Sequence, residues 1–450
     1  MTEPPGATAA RRLAIRAGWV VPVDDAWSVF RDGVVVIDGD EVVAVGRAGE
    51  VDTGGAEVLH FPRHALLPGL VNVHTHVAGC VFRGMTEDRV DGFYGLALPL
   101  ERHFDASIVH RLSRLGVAEV LLAGCTVIHE IYHYAAETAR AAVELGVRAQ
   151  IAHKVFDTDL TRIGQGVRER LAGEGERRLA QNVELFEDWH GAGGGRVEVR
   201  FGAHAPDTCS QDLIQSIRAE ADRHAAGMHI HVAQSPEEQA FMKERYGLGS
   251  VEFLAEEGFL GPRTVAAHLT FASPREIEIL AETDTPVAHC PAIVAKRGRF
   301  PLIREIYDAG IRVGWGTDWV TMDPWDAMRF GIAGARLAYR EISLLSAREA
   351  LWRSTRGSAE VLGWGDRIGS LEANKKADLI LVDMDQPHLA PVYDPVTVLV
   401  YNASGRDVSH VMVGGRWIVN ERRLTEGDVL EIVSAGQDAA ERVWRSGGIG

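Results

Sequence analysis

Cysteine is scarce. The 450-residue chain has four, Cys80, Cys125, Cys209 and Cys290, far apart and with no CxxC pair. That excludes a disulfide framework and a cysteine-built structural zinc site, and it points to a reducing cytoplasm. No apolar run reaches the roughly 18–20 residues that a membrane span needs. Positive charge is also in deficit: Lys and Arg total 47 against 63 Asp and Glu, a formal net charge of −16. Such a balance favours solubility and argues against nucleic acid or anionic membranes as partners. Arg11-Arg12 looks superficially like an export signal, but Leu13-Ala14-Ile15-Arg16 breaks the apolar region such a signal requires. Internal repeats and long low-complexity tracts are missing too.

What is present is ordinary for a globular protein, with 46% hydrophobic and 24% charged residues. The length suits one large α/β barrel plus an accessory domain. The first ten or so residues, rich in Ala, Pro, Gly and Thr, are expected to be disordered. From Leu13 to Val45 the pattern is β, with Asp38-Gly39-Asp40-Glu41 as a hairpin signal between Val34–Ile37 and Val42–Val45. A second β-rich stretch comprises Ala377–Val382, Val396–Tyr401, Val408–Val413 and Arg416–Val419, with Gly414-Gly415 as a turn.

Between these ends, short apolar strands alternate with helical stretches. Strands are expected at 70–75, 124–131, 147–155, 197–203, 227–232, 264–268, 285–289 and 312–316. Helices are expected over Asp105–Leu122, Ala135–Leu145, Gln211–His224, Pro236–Glu244 and Pro274–Glu282. Eight βα units predict a (β/α)8 TIM barrel, with the two β ends pairing into a small β-sandwich domain. The boundaries read as 1–66 and 367–425 for the sandwich, 67–366 for the barrel and 426–450 for a C-terminal helix or tail.

Active sites of such barrels lie at the C-terminal ends of the strands. His74, His76, His204, His231, His268, His289 and Asp318 all fall there. In His74-Thr75-His76 the two imidazoles, two residues apart on a strand, face the same point. Imidazole is a good ligand for zinc and similar divalent ions. In Met228-His229-Ile230-His231, His231 is nearer the strand end and is the better ligand, whereas His229 reads as a hydrogen-bonded core residue. His268 can ligate metal or polarise a substrate. Asp318, in Gly314-Trp315-Gly316-Thr317-Asp318, can bind metal and accept a proton from the attacking water. A single divalent cation held by His74, His76, His231 and Asp318 is the expectation.

These residues sit in motifs that resemble the amidohydrolase superfamily, in the branch of S-adenosylhomocysteine, cytosine and guanine deaminases and triazine hydrolases. The segment Leu67 to His76 is similar to that branch's first-strand signature. Arg83 to Asp88, Pro99-Leu100-Glu101, Thr355 to Ala359, Ile368 to Glu372 and Lys375 to Leu379 continue the likeness over nearly the whole chain. The resemblance implies that His74, His76, His231 and Asp318 bind one metal, zinc first and Fe2+, Co2+ or Mn2+ as alternatives. It also implies that His268 stabilises the tetrahedral intermediate and that His204 contacts substrate. Binuclear relatives use a lysine on the fourth strand; Arg196 to His204 has none, and Lys154 lies on the third. Homo-oligomers, dimer or larger, are common among relatives.

Two departures matter. Deaminases of this branch carry HxxE at the fifth strand, where the glutamate shuttles a proton. Here the segment is His231-Val232-Ala233-Gln234, and Gln234 cannot titrate, although its amide can orient water or substrate. The usual Ser-Asn pair after His289-Cys290-Pro291 is replaced by apolar residues from Ala292 to Ala295. His129, Glu130 and His133 are unexpectedly polar and have no assigned role. The expected reaction is therefore cleavage of a non-peptide C–N bond at a urea, carbamate or amide-like carbon of a small, hydrophobic substrate of the phenylurea or thiocarbamate type. Asp318, His268 and Gln234 would be its catalytic groups, and His204, His268 and Gln234 its substrate contacts. The alternatives are a deaminase or chlorohydrolase of an N-heterocycle, and an inactive metal- or small-molecule-binding homologue.

Overall fold

The computed structural model describes residues 12–449. The expectation for the first ten residues falls outside them. Among the described residues, sixteen strands form two eight-stranded sheets. The N-terminal segment supplies β1 (Arg12–Val20), β2 (Phe30–Asp38), β3 (Glu41–Arg47) and β4 (Glu57–Pro68). The barrel strands are β5 (Leu70–Thr75), β6 (Cys125–Tyr132), β7 (Arg148–His153), β8 (Val197–Ala203), β9 (Met228–Val232), β10 (Thr264–His268), β11 (Val287–His289) and β12 (Val313–Trp315). The C-terminal segment adds β13 (Leu379–Asp383), β14 (Val408–Val413), β15 (Arg416–Asn420) and β16 (Arg423–Leu424).

The two chain ends join as expected, in the order β16-β15-β14-β13-β4-β1-β2-β3. Only β1 and β4 run parallel. Ile15, Val35, Leu66, Leu381 and Met412 share one buried cluster, so strands from both ends close over a common core. Gly414 and Gly415 both take left-handed φ, 53° and 72°, as the tight turn between β14 and β15 demands.

The barrel strands run β5 to β12 in sequence order, all parallel. A parallel bridge between Thr75 and Asp318 joins the first strand to the last. At the N-terminal end, Ala359, Val361, Leu362, Trp364 and Ile368 pack beneath Val71, Val127, Val265 and Ala288. Arg200 and Gln150 both donate to the Leu362 carbonyl, at 2.7 and 3.0 Å. That end is plugged, which leaves the C-terminal mouth for chemistry.

Four of the five expected helices begin at a side-chain cap. Asp105, Ser210, Ser235 and Ser273 each accept from an amide in the first turn, and Pro236 and Pro274 follow two of them at the first helical position. One expectation fails: Val396–Tyr401 is not a strand but part of the helix Pro395–Asn402. Its β-branched residues favour a strand, but Asp394 caps the Val396 amide and Pro395 fixes a helical φ. Val396, Leu399 and Val400 are then buried along one face. The four cysteines are free and buried. Among the described residues no helix is long and apolar enough to cross a membrane.

Candidate metal centre and active site

The site is assembled by barrel closure. The Asp318 amide donates to the His74 carbonyl at 3.0 Å, and the His76 amide donates to the Asp318 carbonyl at 3.1 Å. The two strands approach so closely that a Cβ on Gly316 would lie 2.6 Å from the His74 carbonyl oxygen. Asn72 ties the junction further, donating to Thr317 Oγ1 at 2.8 Å and accepting from the Thr317 amide at 3.1 Å. Asp318 and His268 both have left-handed φ, 62° and 82°, values that a non-glycine residue keeps only where its surroundings impose them.

His74, His76, His231, His268 and Asp318 are all buried, from 0% exposed at His74 to 8% at His76. Their candidate ligand atoms fall into two overlapping triads, His74–His76–Asp318 and His74–His231–His268, each within 4.8 Å. Asp318 Oδ1 lies 3.6 Å from His74 Nε2 and 3.4 Å from His76 Nε2, and His76 Nε2 lies 3.1 Å from His231 Nε2. A tetrahedral ion with bonds of about 2.0–2.1 Å separates its ligand atoms by about 3.3 Å, which these gaps match.

The proton inventory also fits a cation. His231 Nδ1 donates to the His204 carbonyl at 2.5 Å, so its Nε2 carries a lone pair. Burial, followed by the neighbouring imidazoles, drives the His76 pKa far down, and burial alone brings His74 to about 3. The rings are therefore neutral at physiological pH, as ligation requires. His74 Nε2 is buried with no hydrogen-bond partner among the described residues. Facing lone pairs repel one another, and a divalent ion among them removes that repulsion. Burial raises the Asp318 pKa, opposed by His268 and Arg297.

Each proposed imidazole ligand has a group behind it. His74 Nδ1 lies 2.8 Å from His229 Nε2, and His76 Nδ1 lies 3.7 Å from Glu130 Oε1. Glu130 Oε2 accepts from the Val77 amide at 2.8 Å, its Oε1 makes no hydrogen bond among the described residues, and burial pushes its pKa well up. An outer partner at hydrogen-bond distance, as His229 is to His74, fixes tautomer and ring orientation. Glu130, left without a role by sequence reasoning, thus stands beside His76. Its signal was a buried carboxylate beside His129 in a strand otherwise rich in apolar residues.

The remaining predicted residues are placed less uniformly. His204 stands at the end of β8 with Nδ1 2.9 Å from Thr208 Oγ1, and its ring faces His231 at 5.2 Å. Its carbonyl, rather than its ring, makes the defined contact with a proposed ligand. Gln234 is held by its amide, which donates to Glu238 at 3.0 Å, while its side-chain Nε2 is buried and unpartnered among the described residues. His289 lies against Phe300 with both ring nitrogens unpartnered among the described residues, and burial pushes its pKa down to about 3. His133 and Lys154 belong to a separate buried cluster, both donating to Glu101 Oε2 at 2.8 and 2.7 Å. That cluster borders a cavity of about 220 Å³ also lined by Phe104, Phe156 and Arg178.

A (β/α)8 barrel with histidines and an aspartate gathered at its C-terminal mouth is the architecture of a metal-dependent hydrolase. The Amidohydrolase family profile matches residues 65–418, and the chain belongs to that family. It is accordingly a hydrolase acting on carbon–nitrogen bonds other than peptide bonds. It is 32% identical to a 5'-deoxyadenosine deaminase of Methanosarcina barkeri over 443 residues, 96% of this chain and 98% of that protein. It is 33% identical to a 5-methylthioadenosine/S-adenosylhomocysteine deaminase of Symbiobacterium thermophilum over 445 residues, 96% of this chain and 99% of that one. Among solved structures, an adenosine deaminase from Xanthomonas campestris with bound zinc superposes with a TM-score of 0.89 at 27% identity, covering 98% of this chain and 100% of that one. Atrazine chlorohydrolase from Arthrobacter aurescens, complexed with zinc, gives 0.85 at 25% identity, covering 95% and 100%.

Proposed function

We propose that the chain hydrolytically displaces an amino group, or a comparable leaving group, from a carbon of an N-heterocycle, using one divalent cation held by His74, His76, His231 and Asp318. Zinc is the favoured ion. When bound, such a cation acidifies water enough for it to attack near neutral pH. Asp318 accepts the proton of the attacking water and returns it to the leaving group. His268, whose ring nitrogen lies within 4.8 Å of ligand atoms of His74 and His231, donates a hydrogen bond to the negative charge developing on the substrate. The unpartnered Gln234 Nε2 donates to a ring nitrogen or exocyclic oxygen and orients the substrate.

The likeness to deaminases over 96% of the chain, with His74, His76, His231, His268 and Asp318 close together, supports this reading over the urea or carbamate carbon expected from sequence. One observation keeps the latter as a second reading. Gln234 cannot supply the proton that activates a ring nitrogen, whereas hydrogen bonding to a carbonyl oxygen needs no proton transfer. The test is a substrate panel: ammonia release from adenosine-type nucleosides, chloride release from chlorotriazines, and amine release from aryl ureas. Turnover of the first or second group supports the main reading; turnover of aryl ureas alone replaces it with the second. The reading includes a homo-oligomer in the cytoplasm, its subunit number to be measured by light scattering.

A further inference from the structure

We infer that His229 is a positioning residue that sets the tautomer and ring orientation of His74. The inference rests on the proposed ligand set and names a group behind it. His229 lies on β9 two residues before His231, hence on the same side of the strand and one layer deeper in the barrel. It is fully buried, in register with Gly202 of β8 and Val265 of β10. Its Nε2 is 2.8 Å from His74 Nδ1, with the two rings 85° apart. Its other face stacks on His129, centroids 3.8 Å apart and planes within 16°. His129 is itself pinned, with Nδ1 2.9 Å from the Val73 carbonyl.

The protons follow from these contacts. A carbonyl only accepts, so His129 carries its proton on Nδ1. For His74 to ligate through Nε2, its proton must sit on Nδ1, from which it is donated to His229 Nε2. His229 then carries its own proton on Nδ1. A ligating imidazole more often leans on a carboxylate, a carbonyl or water. A neutral imidazole acceptor orients His74 without adding negative charge beside the cation. Packing alone does not explain the pair. His229 Nδ1 and His129 Nε2 are buried without partners among the described residues, a cost two apolar rings would not incur.

The test is zinc affinity of the full chain, measured by competition of metal-free protein against a chromophoric chelator. Wild-type stoichiometry checks the ligand set itself: a wild type that binds no zinc sinks that reading, whatever His229 does. His229→Phe keeps a ring to stack on His129 but loses the acceptor, and should bind zinc about 10- to 100-fold more weakly. His229→Gln, whose amide oxygen reaches the place of Nε2, should recover most of that loss. Wild-type affinity in His229→Phe, or equal weakness in His229→Gln, overturns the inference. Nitrogen NMR of zinc-loaded wild type decides it without any variant: protons on Nδ1 of both His74 and His229 are expected, and a proton on His229 Nε2 overturns it.

Discussion

The main-chain amide of Asp318 donates to the carbonyl of His74 at 3.0 Å, so the hydrogen bond that closes the barrel also joins two proposed metal ligands. Fold and site are coupled at this point. Whatever loosens the β5–β12 junction also spreads the ligands, and whatever draws the ligands together holds the junction.

Gly316→Ala tests that coupling. The added Cβ would meet the His74 carbonyl oxygen at 2.6 Å and the His74 amide nitrogen at 2.8 Å, both backbone atoms that cannot swing aside. A loss of about 1–3 kcal/mol in stability is expected from such overpacking. Zinc affinity should fall with it. Chemical denaturation and chelator competition on the same variant measure the two effects; a loss of stability with unchanged affinity would separate fold from site.

Asp318 and Gln234 should behave differently in kinetics. Asp318→Asn removes both a ligand and the group assigned to carry the proton, and should lower kcat by at least about 100-fold. Gln234→Ala removes one hydrogen bond to substrate, worth about 1 kcal/mol or roughly fivefold in kcat/KM. Equal losses in the two variants would refute the assignment of proton transfer to Asp318.

These particulars show what a sequence can carry. The β5, β9 and β10 boundaries were legible because short apolar runs end at His74, His231 and His268, and strand-end placement is a local property. Gln234 was legible as a departure because a single residue type decides whether a group can titrate. The helix Pro395–Asn402 was not, since its β-branched residues favour a strand until neighbouring helices bury one face. Nor was the contact of His229 with His74. It depends on register between strands 155 residues apart, and residue spacing cannot report which rings meet inside a barrel. The same holds for Glu130 behind His76.

The Glu101 cluster predicts an acid-dependent term in stability. Burial works to raise the Glu101 pKa, but Lys154 and His133 outweigh it and hold the carboxyl at about 2, below its ordinary 4.5. A carboxylate with a depressed folded-state pKa contributes its full stability above the unfolded-state value and loses it as pH falls through the folded-state value. The loss should therefore run between about pH 4.5 and pH 2. Glu101→Gln leaves Lys154 buried without its partner and should cost about 3–5 kcal/mol at neutral pH. Adding Lys154→Met should return most of it and flatten the acid limb. Urea unfolding from pH 7 downwards measures both effects, and a double variant no more stable than Glu101→Gln would count against the ion pair.

The central claim is that one cation at the barrel mouth makes the enzyme active. Its most direct test is elemental analysis of purified full-length protein, never exposed to chelators, alongside its turnover of a substrate found by the panel. One transition-metal ion per chain is predicted, with activity lost on chelation and restored by added zinc. Protein that turns over substrate while free of transition metal would contradict it.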